Sequence, residues 1–229
     1  QELMTFSDQS RQAAYERLGS FKNLLRRLES LGKPVVGAIS RTALGPELEI
    51  FLAAHHRIAT NDPDLRIGFP ELTSGLFPGH GGLVRLIYLL GLEKALPLLQ
   101  NGSKLSPEQA QETGLIDELG NDDLILKAKE WIRANPEATQ PWNRKGFQIP
   151  GGSPAHPRVA QTLIVMPAVL RKKFPEGNLL QESILSAAVE CAQVDIESAL
   201  RIESRYLIEL LFAGEINQDQ GSLADCQGA

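Results

Sequence analysis

The chain has 229 residues, 42 % of them apolar, and a formal net charge of −5. That length suits one large domain, or one domain with an appendage, and the apolar share is enough to bury a core. Basic and acidic residues are interspersed, which excludes the basic stripe of a nucleic-acid binder and leaves a mild acidic excess that favours solubility.

Residues 8–31 carry Leu18, Phe21, Leu24, Leu25, Leu28 and Leu31 at helical spacing, with Arg26, Arg27 and Glu29 between them. That spacing predicts an amphipathic helix ended by Gly32. "KPVVGAIS" has apolar residues on both faces and reads as a short buried strand. It leads into "TALGPELEIFLAAHH", residues 42–56, where the strand is expected to turn into a helix that runs to His55 and His56. "HRIAT" and "LRIGF" read as two more short strands, separated by the turn signal "NDPD". A Gly- and Pro-rich loop, "LTSGLFPGHGG", then opens a helix expected over Leu83–Leu99. Arg85, Glu93 and Lys94 interrupt its apolar face, so it is no membrane span. "LSPEQAQETG" has the punctuation of a short helix: Ser106 as N-cap, Pro107 first inside, Gln109 third, Gly114 beyond the end. "LIDEL" suggests a strand, and residues 122–134 another helix.

Residues 135–156 are rich in Pro and Gly and read as a linker or ordered loop between a core, residues 1–134, and a helical C-terminal region, residues 157–213. Helices are expected near 157–173, 178–192 and 195–212, with Asp195 capping the last. The polar tail, residues 214–229, has the composition of a disordered segment. Cys191 and Cys226 make neither a disulfide framework nor metal-ligand spacing and fit a reducing, cytoplasmic compartment. Nothing at the start reads as a signal peptide. Some four short strands cannot cover so many helices, so further elements are expected before Gln1.

Two acidic positions carry the chemistry. In the elbow, Gly45 permits a tight turn and Pro46 suits a first helical position. Glu47 and Glu49 lie in the first turn, where the helix dipole favours a carboxylate by about 0.3–1 kcal/mol. Capping alone therefore accounts for these residue types, and catalysis is the second reading. Glu71, in "RIGFPEL", follows Pro70 between Phe69 and Leu72. A carboxyl in apolar surroundings has its pKa raised and can hold or deliver a proton near neutral pH; a loop carboxylate capping amides is the plainer alternative. Two such carboxylates could hold a water between them. For His55 and His56 a surface or helix-end role is expected; His80 lies in the Gly-rich loop, where it could touch substrate or stand solvated, and Trp142 and Phe147 read as packing or subunit contacts.

"KPVVGAISRTALGPELEIFLAAHHRIA", "RIGFPELTSGLFPGHGGLVRL" and "LSPEQAQETGLIDEL", in that order and spacing, resemble the crotonase (enoyl-CoA hydratase/isomerase) superfamily over about residues 15–133. Residues 135–152 and 187–206 resemble the hydratase part of multifunctional fatty-acid oxidation enzymes. The resemblance implies an α/β fold, a spiral of strand–strand–helix turns lacking its first strands here, with a helical C-terminal region. It implies an enoyl-CoA hydratase-like lyase of fatty-acid β-oxidation, with an isomerase or a weakly catalytic CoA-ester-binding subunit as alternatives. By motif position it makes Glu49 and Glu71 the catalytic acids, Gly45 and Pro46 part of the oxyanion region, and Gly79 a substrate- or water-holding glycine. It implies an acyl-CoA thioester partner, a homo-oligomer (trimer or hexamer), and no separate cofactor or metal, CoA being part of the substrate. No dinucleotide glycine fingerprint is present, so no NAD site is expected.

The sequence departs from the family pattern at the oxyanion site. Where that pattern has glycine, this chain has Pro46, which carries no N–H, followed by Glu47. A neighbouring amide, or a side chain such as Arg41 or Thr42, could supply the missing donor. The segment that carries the second oxyanion donor in the family would fall before Gln1.

Overall fold

The computed structural model describes residues 11–121 and 123–212. A long helix, α1 (Arg11–Glu29), leads into strand β1 (Val36–Ile39). The elbow follows as a two-residue strand, β2 (Ala43–Leu44), and helix α2 (Pro46–Leu52). Then come β3 (His56–Thr60), β4 (Ile67–Gly68) and a 3-10 turn, Pro70–Ser74. Helices α3 (Gly82–Leu90) and α4 (Leu92–Asn101), strand β5 (Lys104–Leu105), helix α5 (Pro107–Thr113), strand β6 (Glu118–Gly120) and helix α6 (Leu124–Ala134) complete this part. Past a 3-10 turn at Pro141–Asn143, the chain ends in α7 (Pro157–Lys173), α8 (Leu179–Cys191) and α9 (Ile196–Phe212).

This is the expected α/β fold with a helical C-terminal region. The strands form two three-stranded sheets. One is parallel, ordered β1-β3-β6; in the other β2 pairs parallel with β4, and β4 antiparallel with β5. One apolar core runs from Ala14 and Leu18 on α1, through α2, α3 and α4, to Leu200, Leu207 and Leu210 on α9. Among the described residues no helix is long and apolar enough to cross a membrane. The polar tail lies outside the described residues.

Three local expectations are corrected. Strand β1 does not turn directly into the elbow helix; the two-residue β2 intervenes, too short to show a strand's alternation. The elbow helix stops at Leu52, and His56 begins β3. The helix expected over Leu83–Leu99 is two helices, because Gly91 has φ 78 and ψ 166, outside helical space. The carbonyl of Pro150 packs so closely there that a Cβ on residue 91 would lie 2.0 Å from it. The capping box at Ser106 and Gln109 forms as predicted, and Asp195 accepts from the Ser198 amide at the start of α9.

Candidate active site

The pairing of β2 with β4 builds the site. Its register sets Leu44 opposite Gly68, and the Gly45 amide donates to the Gly68 carbonyl at 3.0 Å. The start of α2 therefore lies beside residues 69–71. Gly45 has φ 52, and a Cβ there would lie 3.0 Å from the carboxylate atoms of Glu71. A side chain here would crowd that carboxylate and would be strained by the positive φ, which glycine accepts.

Glu49, 1 % exposed, points from the first turn of α2 into the loop before α3. Its Oε2 accepts the amides of His80, at 2.8 Å, and Gly82, at 2.6 Å. Its Oε1 faces His80 Nδ1 at 3.3 Å. Gly82 allows this approach, since a Cβ there would fall 2.7 Å from Glu49 Oε2. The amides that meet the carboxylate are thus those of His80 and Gly82. At Gly79 a Cβ would strike Leu207 of α9 at 2.7 Å.

Glu71 is in the opposite condition. It lies in the 3-10 turn flanked by Phe69 and Leu72, each 2 % exposed. Its Oε1 is buried without a hydrogen-bond partner. Desolvation pushes its carboxyl up to about 7, and the charge of Glu49 adds to that rise, against a lowering by its own backbone amide. A buried acceptor without a partner is an uncommon arrangement that calls for a ligand, a water or a proton.

Arg41 and Thr42, the two side chains considered for the donor absent at Pro46, both have partners of their own. Arg41 pairs with Glu47 at 3.3 Å, and the two side chains are 83 % and 51 % exposed. Thr42 Oγ1 accepts the Arg66 amide at 3.0 Å.

Behind the loop lies a buried ionic scaffold. Lys22 of α1 forms an ion pair with Glu203 Oε2 of α9 at 2.6 Å and donates to Ser204 Oγ at 2.8 Å and to the Leu200 carbonyl at 2.9 Å. Glu203 Oε1 receives the Val84 amide at 3.3 Å. Arg85 of α3 donates to Glu29 Oε1 at 2.5 Å and to the His80 carbonyl at 3.0 Å. Arg26 completes the cluster by pairing with Glu29. Elements far apart in sequence therefore fix the loop that holds Glu49.

The other residues singled out from sequence have structural places. His55 accepts the Val35 amide on Nδ1 and bonds the Glu29 carbonyl through Nε2. His56 stacks on Trp131 with ring centroids 4.5 Å apart. Trp142 and Phe147 pack around Tyr88 and line a cavity of about 570 Å³ with Ile149, Val194 and Ile196. A second cavity, about 380 Å³, lies at the elbow and is lined by Ser40, Thr42, Glu47 and Phe51 among others. Neither Glu49 nor Glu71 lines either cavity. His80 has a partner that the sequence reading did not name. It faces a buried carboxylate rather than solvent alone, and its position in the "PGHGG" loop was the available sign.

Residues 2–140 match the model of the enoyl-CoA hydratase/isomerase family. The chain belongs to this family. A curated relative, the fatty acid oxidation complex subunit alpha of Shewanella loihica, is 32 % identical over 192 residues, covering 82 % of this chain and 27 % of its own length. The chain thus spans about a quarter of that relative's length. Among solved structures, an enoyl-CoA hydratase from Thermoplasma volcanium aligns over 92 % of this chain and 68 % of its own, at 24 % identity and a TM-score of 0.47. An enoyl-CoA hydratase/isomerase from Cupriavidus metallidurans aligns over 83 % of this chain and 57 % of its own, at 20 % identity and a TM-score of 0.49.

Proposed function

We propose that the protein is an enoyl-CoA hydratase acting on acyl-CoA thioesters of fatty-acid oxidation. The observation that carries this is the contrast between two neighbouring glutamates. Glu49 receives two amide N–H bonds, which suit an ionised carboxylate, while Glu71 is desolvated and holds its proton to about pH 7. One base and one acid are thereby set apart in a single site by their surroundings.

In the hydration step, Glu49 takes a proton from a water whose oxygen bonds to C3 of the enoyl thioester. The C2–C3 π pair moves toward the thioester carbonyl and forms an enolate. Glu71 delivers its proton to C2 as the enolate collapses. The net change is water added across the double bond, with a proton transferred from Glu71 to Glu49 and returned through solvent. CoA enters as part of the substrate, and no separate cofactor or metal takes part.

An isomerase reading uses Glu71 alone to move a proton along the acyl chain; the presence of Glu49 favours hydration. A different reading has its own support. Pro46 provides no donor and the Gly45 N–H is committed to Gly68, so the elbow gives the enolate oxygen little help. A CoA-ester-binding subunit with weak turnover fits that feature.

Crotonyl-CoA incubated in isotopically heavy water separates these readings by mass spectrometry. A hydratase places one solvent oxygen on C3, and Glu49→Gln or Glu71→Gln each lowers the rate about 100- to 10,000-fold. Binding without oxygen incorporation would favour the binding subunit. Deuterium exchange with double-bond migration would favour the isomerase.

A further inference from the structure

We propose that His80 is a positioning residue for Glu49: its imidazole Nδ1–H holds Oε1 while the loop amides hold Oε2, aiming the remaining lone pair at the substrate water. This rests on the reading of Glu49 as the base that activates water.

The argument is one of hydrogen-bond sites. An ionised carboxylate offers about four lone-pair directions. The amides of His80 and Gly82 occupy two, both on Oε2. The His80 ring takes one on Oε1 at 3.3 Å. One direction on Oε1 is left to accept a proton from water. Two bonds to one oxygen fix the carboxylate less firmly than bonds to both, so the ring contact sets where the free lone pair points.

The imidazole is itself held. Phe21 of α1 meets it edge-on with centroids 4.5 Å apart, and Arg85 of α3 binds its backbone carbonyl at 3.0 Å. The ring is 33 % exposed and keeps access to solvent protons. Charged groups face it from every packed element: Glu49 on α2, Lys22 on α1, Arg85 on α3 and Glu203 on α9. Burial pulls the imidazole pKa down; the hydrogen bond and charge of Glu49, with Glu203 behind, outweigh burial and the opposing charge of Lys22, and the pKa is raised. A histidine beside a carboxylate keeps the donor on the nitrogen that faces it.

Two variants isolate the donor. His80→Asn keeps a side-chain N–H near the place of Nδ1; His80→Phe keeps a ring against Phe21 without one. With crotonyl-CoA, His80→Phe is expected to lower kcat about tenfold at little change in KM and to move the acid limb of the pH–rate profile upward by about one pH unit. His80→Asn is expected to restore most of both. A second readout needs no turnover: in side-chain 15N NMR, the His80 pKa drops in Glu49→Gln. Equal kinetics and pH profiles in wild type and His80→Phe would overturn the proposal, as would an unchanged His80 titration in Glu49→Gln. A wild-type protein that hydrates no enoyl thioester removes the hydratase reading, and the NMR titration still decides whether His80 holds Glu49.

Discussion

At the scale of residues, the site is a contrast of environments imposed on identical side chains. Glu71 in the folded chain titrates near 7 instead of the ordinary 4.5, so the folded state binds the extra proton between those values. Folding stability therefore falls as pH rises from about 4.5 to about 7. Glu71→Gln removes that titration. Its stability relative to wild type should grow across this interval and reach a gain of up to about 3 kcal/mol above pH 7, measured by urea unfolding at several pH values. A gain independent of pH would contradict the desolvated state of Glu71. Pro46 gives a second test. Pro46→Gly returns an N–H to the elbow, and one oxyanion donor is worth about 100- to 1000-fold in rate. A large rise in kcat is expected from the elbow geometry; an unchanged rate would mean that the enolate finds its donors elsewhere. The places of Glu49 in the first turn of α2 and of Glu71 after Pro70 were legible from the glycines and prolines beside them, while their chemical roles came only from motif position in the family. The His80–Glu49 contact was not, since it depends on how far the loop folds back over α2.

At the scale of elements, the loop that holds Glu49 is supported from behind by helices at opposite ends of the chain. The Lys22–Glu203 pair joins α1 to α9, with side chains 3 % and 0 % exposed. Lys22→Met leaves the Glu203 carboxylate buried without its counter-charge and should cost about 3–5 kcal/mol in urea unfolding. Adding Glu203→Leu should recover much of that loss, because a buried pair replaced by apolar residues is often neutral. If the double variant is as unstable as the single one, packing rather than charge holds this junction. No sequence pattern announced the pair, because its partners are 181 positions apart. The long helices were legible from their apolar periodicity. The break at Gly91 was missed, since nothing nearby shows that Pro150 crosses there, and the two-residue strands β2 and β5 are too short to carry a period.

At the scale of the whole molecule, one core binds the strand-bearing part and the C-terminal helices. Leu207 of α9 packs on Gly79, and Leu200 on Gly81, so the last helix helps form the wall of the loop that holds Glu49. The fold class and family were legible because three motifs kept their order and spacing. The chemistry of the elbow was legible only as a departure, Pro46, whose consequence depends on which amides remain free. The most direct test of the two-glutamate account is the pH dependence of crotonyl-CoA hydration, followed as loss of the conjugated thioester absorbance. The account predicts turnover that declines with an alkaline limb near pH 7, as Glu71 loses its proton, and a limb that disappears in Glu71→Gln along with most of the rate. A folded protein that binds crotonyl-CoA without turnover, or hydrates it with no limb near neutrality, would contradict it.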